Sequence, residues 1–149
     1  MAVADEALRA VLSIFPADPF LWLKLYSTGK TRHGFGPDSI KYLAQSYRVA
    51  PLDGWVALRR NKVGLSIFQM LAEDTRKAVV SEFVGLVDSG FTDTAALNLE
   101  TVGWTERERL LASLVGVNII SRQAFAKRLA LDGVKASIPG VEIDERPWP

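Results

Sequence analysis

Apolar residues recur at helical spacing along most of this chain, and breakers punctuate them. From Ala4 to Phe15, Leu8, Val11, Leu12 and Phe15 share a face that excludes Asp5, Glu6 and Arg9; this predicts an amphipathic helix, stopped by Pro16-Ala-Asp-Pro19. Asp18 as N-cap and Pro19 at the first helical position start a short second helix through Tyr26. The run Phe20 to Tyr26 is apolar nearly all the way round, so it requires cover on several sides. Ser27 to Pro37, with Gly29, Gly34, Gly36 and Pro37, reads as a loop. A helix capped by Asp38 follows to about Val49, with Ile40, Leu43, Ala44 and Tyr47 at helical spacing. Beyond Ala50-Pro51-Leu52-Asp53, a longer helix from Gly54 to Met70 is expected to bury Trp55, Leu58, Val63, Leu65 and Phe68.

Asp74 or Thr75 opens the next helix, whose stripe of Val79, Val80, Phe83, Val84 and Val87 ends at Gly90. Thr92 or Asp93 caps a short helix through Leu99. Thr105 followed by Glu108 reads as a capping box starting a helix with Leu110, Leu111 and Leu114 inward. Asn118 or Ser121 opens the last helix, with Phe125 and Leu129 on its buried side and Gly133 as its stop. These elements make the chain all-α, with about seven helices and no strand. The expected organisation is a helical domain over 1–133 and an extended C-terminal tail over 134–149, pinned by Trp148.

Composition changes this picture little. A chain of 149 residues suits one domain, and 48% hydrophobic with 23% charged residues is an ordinary globular balance. The net charge of +1 implies neither nucleic acid nor an anionic membrane as partner, although residues 1–62 carry nine Lys/Arg and five Asp/Glu and so make the first part basic. Cysteine is absent, which excludes disulfides, thiolate nucleophiles and zinc ribbons. The most apolar run, Leu110 to Ile120, is interrupted by Ser113, Gly116 and Asn118 and falls short of a membrane span. The amino terminus lacks the features of a signal peptide, so the chain as written is expected in the cytoplasm, or in the periplasm as part of a longer parent.

A repeat organises the first third. Ala4, Leu8 and Pro16 recur as Ser39, Leu43 and Pro51, with Trp22 between the copies. A helix pair with a small residue and an aliphatic on one helix, an aromatic on the other and a closing proline resembles the tetratricopeptide plan. Trp22 and Leu25 take its Trp and Leu positions; Ser39, Leu43 and Pro51 take its Ala, Phe and Pro positions. Tyr26 stands where the repeat has Gly, Gly29 where it has Tyr, and the unit is one residue long. Ala17 to Trp22 and Tyr47 to Asn61 are also similar to helical-repeat proteins that bacteria make alongside cell-envelope polysaccharide. The resemblance implies a right-handed array of helix pairs with a concave groove for a protein or peptide partner, lined by Phe20, Leu23, Ser27 and Lys30 and edged by Arg59 and Lys62.

Catalytic signals are weak. Gly29-Lys30-Thr31 lacks the earlier glycine and preceding strand of a phosphate loop, since position 25 is Leu25. His33, the lone histidine, has no orienting neighbour in sequence. Glu73, Asp74, Glu82 and Asp88 recur near helical spacing but lie beside Arg76 and Lys77, so solvated acids are favoured over a glycosidase pair. Arg59-Arg60-Asn61-Lys62, with Arg48 and Lys41, reads either as a basic patch or as a solvated face, and the solvated face is the simpler reading. Trp22 and Trp55 are expected in the core rather than in a sugar-stacking groove. No catalytic residue, metal ligand or cofactor is assigned. The expected function is a non-catalytic interaction or scaffold module, with two alternatives: a saccharide-binding or weakly catalytic accessory domain of polysaccharide biosynthesis, and a structural domain that dimerises through Leu8, Val11 and Phe15.

Overall fold

Asp18 opens the first fully described helix. Its Oδ1 accepts the backbone N–H of Leu21 at 3.2 Å, and Pro19 sits where the helix needs no donor. The computed structural model describes residues 7, 9–10, 18–33, 37–49 and 54–142. Within them lie α1 (Pro19–His33), α2 (Pro37–Val49), α3 (Gly54–Ser66), α4 (Glu73–Asp88), α5 (Thr92–Glu100), α6 (Arg107–Ala112) and α7 (Ile119–Leu131), and no strand. Three short 3-10 turns adjoin them, at Phe68–Met70, Trp104–Glu106 and Ser113–Gly116. Among the described residues no helix is long and apolar enough to cross a membrane. The chain divides into two compact units at Val79/Val80, inside α4. Leu8, Val11, Phe15 and Trp148 lie outside the described residues.

In the first unit α1 and α2 form an antiparallel pair. Ser46 Oγ donates to the Pro19 carbonyl at 2.7 Å, and one turn along α1 Trp22 stacks on Tyr42, ring centroids 6.3 Å apart. Partner numbers fall on α2 as they rise on α1. Leu23, Leu25 and Tyr26 of α1 and Ser39, Leu43, Ser46 and Tyr47 of α2 are buried. Helix α1 runs seven residues past the expected end at Tyr26, into the stretch 27–37 read as a loop, of which residues 34–36 lie outside the described residues. Ser27 Oγ donates to the Leu23 carbonyl at 3.2 Å within the helix.

Helix α3 ends at Ser66, earlier than expected, and the chain then turns tightly at Phe68–Met70. Arg76 holds that turn. Its Nε donates to Phe68 O at 3.0 Å and its Nη2 to Gln69 O at 2.6 Å, satisfying two carbonyls that a continuing helix would have used. A second correction concerns Trp55, expected in the core but 86% exposed. The buried side of α3 is Val56, Ala57, Arg60, Asn61, Gly64 and Leu65, so the helix is rotated away from the apolar register that would have hidden the indole.

The second unit has an apolar core. Phe83 and Phe125 meet edge to face at 5.8 Å, and Leu86, Val87, Leu99, Leu110, Leu114 and Leu129 are buried in the same unit. Ala95 and Ala96 on α5 are fully buried and small enough to admit α7 closely. Gly90 (φ 84°) and Gly133 (φ 76°) end α4 and α7 in the left-handed conformation that spares glycine a steric penalty. In both, the next residue's N–H returns to the helix: Phe91 to Leu86 O, and Val134 to Leu129 O, each at 2.9 Å. Asn118 Oδ1 caps α7 by accepting the Ile120 N–H at 2.8 Å. Thr105, however, makes no capping box. It lies inside the 3-10 turn that leads into α6, and α6 starts without a side-chain cap. The preceding turn is closed by Gly103 N–H to Asn98 O at 2.8 Å, which leaves Thr105 no free first turn to cap.

Gly64 marks a close approach within the first unit. A Cβ there would stand 2.7 Å from Val79 Cγ2 and 2.8 Å from Tyr47 Oη, whereas one at Gly85 would meet nothing within 4 Å. Gly64→Ala is therefore expected to lower the unfolding free energy by about 1–3 kcal/mol. Gly85→Ala, in the interior of α4, should raise it by about 0.4–1 kcal/mol. Paired urea titrations check both signs.

Candidate functional site

Helix α3 carries polar groups on two sides for two different purposes. Inside, Arg60 is fully buried. Its Nη1 donates to Ser46 O at 2.8 Å and to Ser46 Oγ at 3.2 Å, and its guanidinium lies 4.0 Å over the Tyr47 ring. Tyr47 Oη returns a long hydrogen bond, 3.4 Å, to Arg60 O. Because Ser46 Oγ in turn donates to Pro19 O, one chain of hydrogen bonds runs from α3 through α2 to the start of α1. Asn61, also fully buried, donates from Nδ2 to Val79 O at 3.1 Å and fixes α4 on the next side. The solvated-face reading of Arg59 to Lys62 thus fails for its two middle residues.

Outside, Trp55, Arg59 and Lys62 are all exposed. Their spacing of four and then three residues puts them on one stripe along the helix, about 10 Å from end to end. Ser66 continues the stripe and is exposed as well.

The other residues expected to line a groove are not brought to this stripe. Leu23 is buried at 5% exposure, because α1 is covered on the side of Leu23, Leu25 and Tyr26, and so it offers no surface to a partner. Ser27 is exposed, its hydroxyl turned back to Leu23 O. The backbones of Phe20 and Lys30 belong to α1, and their side chains lie outside the described structure, as does that of His33. Gly29-Lys30-Thr31 is helical, so its N–H groups do not form a phosphate cradle. Of the four acids on α4, Glu82 is buried while Glu73, Asp74 and Asp88 are exposed, and Glu73 pairs with Arg76 at 3.7 Å. Trp22 is half-buried against Tyr42. Sequence reasoning missed Trp55 as a surface residue, although its spacing to Arg59 and Lys62 was visible.

A separate ionic cluster joins α5 to α7. Arg128 bridges Asp93 (Nη1 to Oδ1, 2.9 Å) and Asp132 (Nε to Oδ2, 3.1 Å). At the far end of α5, Glu100 Oε1 is buried and makes no hydrogen bond. Burial pushes the Glu100 carboxyl above its ordinary range, and the neighbouring Asp132 adds to this. Asp132 is held below its ordinary range by the approaching Glu100 carboxyl and by Arg128. Comparison of the chain with family models, with curated proteins and with solved structures finds no match.

Two outcomes follow from these environments. Arg60→Ala empties a buried site and leaves the Ser46 acceptors unmet, so it should cost about 2–5 kcal/mol, whereas Arg59→Ala, one residue away on the exposed face, should stay within about 0.5 kcal/mol; chemical denaturation of both variants checks the contrast. Glu100 has a raised folded pKa, so its contribution is fully present below its unfolded value and is lost as pH rises through the folded one. Glu100→Gln, which stays neutral, should therefore match the parent at low pH and melt higher above that window. Melting curves from acid to neutral pH would show the difference opening with pH.

Proposed function

We propose that this chain is a non-catalytic interaction module of tetratricopeptide-like build, of the kind that accompanies envelope polysaccharide assembly, and that its contact surface is the outer stripe of α3. The observation that carries the reading is Trp55, 86% exposed at the head of a stripe whose next members are Arg59 and Lys62. The antiparallel α1/α2 pair supports the repeat-like build, with Leu25, Ser39 and Leu43 buried where the repeat packs its helices. The partner such a stripe fits is an acidic protein segment with one apolar side chain for the indole and carboxylates a turn or two along. Charge complementarity sets its orientation and encounter rate; the tryptophan supplies most of the affinity. The basic balance of residues 1–62 works in the same direction.

The same exposure of Trp55 favours a second reading, in which the indole face receives a saccharide ring. One titration separates the two. Short acidic peptides carrying a single Leu or Phe, neutral scrambles of them, and neutral oligosaccharides are added in turn while tryptophan emission is followed. The interaction reading expects saturable binding of the acidic peptides only, weakened about 30-fold by Trp55→Ala and made weaker still in salt or by Arg59→Glu with Lys62→Glu. A saturable response to oligosaccharide alone, lost in Trp55→Ala, would replace it with the second reading. Binding of peptides unaffected by all three substitutions would remove α3 as the surface.

A further inference from the structure

The second unit holds a groove that the α3 stripe does not use. It opens between α6 and the chain that follows α7, with a volume of about 440 Å³, within the range of small-molecule sites. Leu111, Ala112 and Pro139 give it an apolar lining, Arg107 and Lys135 face it from opposite walls, and Glu108 stands beside them.

The wall is preformed although it has no regular secondary structure. Val134 is tied back to Leu129 O, and Ile138 is buried at 3% exposure. Ile138-Pro139-Gly140-Val141 closes a turn through Val141 N–H to Ile138 O at 3.1 Å, with Gly140 at φ 72° in the position where such a turn favours glycine. Arg122 locks it, donating from Nη1 to Pro139 O at 2.6 Å and from Nε to Val117 O at 2.9 Å. On the α6 side, Arg107 is oriented by Trp104: Nη1 donates to the Trp104 carbonyl at 2.9 Å and the guanidinium lies 4.6 Å over the indole. Neither contact neutralises its charge, and among the described residues neither Arg107 nor Lys135 has a carboxylate partner.

We propose that this groove binds a small organic monoanion with an apolar body, its carboxylate taken by Arg107 and Lys135 and its hydrocarbon laid over Leu111, Ala112 and Pro139. Two cations call for an anion, and fixed guanidinium geometry suits a carboxylate. The apolar floor gains nothing from a bare inorganic anion, which would leave it in water. Glu108 repels further negative charge, which disfavours polyanions such as nucleotides. The assignment is independent of the α3 stripe.

The test uses the full chain labelled for amide spectroscopy, titrated with sodium octanoate, sodium acetate and inorganic phosphate. Octanoate should give saturable shifts at residues 107–112 and 135–139, with acetate and phosphate at least about tenfold weaker. Lys135→Glu should weaken octanoate about tenfold or more with the rest of the spectrum unchanged, and Glu108→Gln should tighten it severalfold. Ala112→Phe, at an exposed position, should block the groove without touching either cation. No saturable shift up to about 10 mM octanoate, shifts at other residues alone, equal response to phosphate, or indifference to Lys135→Glu would each overturn the proposal.

Discussion

The first unit depends on one buried cation. A guanidinium with no exposure is costly unless its donors are met and its charge is compensated. Arg60 meets that condition through neighbouring helices: Ser46 supplies two acceptors and Tyr47 a ring face, and Ser46 passes the connection on to Pro19. Satisfying Arg60 therefore fixes where α1, α2 and α3 stand relative to one another. Asn61 extends the constraint to α4, and Gly64 follows from it, because helices held this closely leave no room for a Cβ. Directional bonds of this kind specify one packing more sharply than apolar contacts of equal area.

The second unit reaches order by another route. Its core is made mostly of aromatic and aliphatic side chains with two alanines at the close approach, although the polar side chains of Glu82 and Asn98 are buried there too. Two glycine stops return the chain onto the helices just completed, and Arg122 pins the irregular segment after α7. Ionic contacts lie mainly at the surface, where pairs such as Arg128 with Asp93 contribute little to stability. Glu100 is different in kind, since burial first and the neighbouring Asp132 second raise its carboxyl above the ordinary range.

The candidate surface follows from the internal constraint. Arg60 and Asn61 set the rotation of α3, and once they face inward the opposite side must carry Trp55, Arg59 and Lys62. An indole in water is apolar area left unburied, of the size that hot-spot residues bring to an interface. The groove in the second unit has the same logic on a smaller scale, because contacts with Trp104 orient Arg107 and, among the described residues, leave it without a carboxylate partner.

Local chemistry was largely readable from the chain. Asp18-Pro19 and Asn118 start helices, Gly90 and Gly133 end them, and Phe125, Leu129, Leu110 and Leu114 are buried as their spacing requires. These features act over a turn or two, so neighbouring residues suffice to define them. Tertiary structure decided the rest. The chain stays helical from Ser27 to His33 despite Gly29, and whether Thr105 caps depends on how tightly the preceding turn closes. Above all, the rotation of α3 could not be read from hydrophobicity. The pattern assigns Trp55 inward and Arg60 outward, and only acceptors brought from α2 and α4 reverse that order, since burying a charge depends on partners distant in sequence.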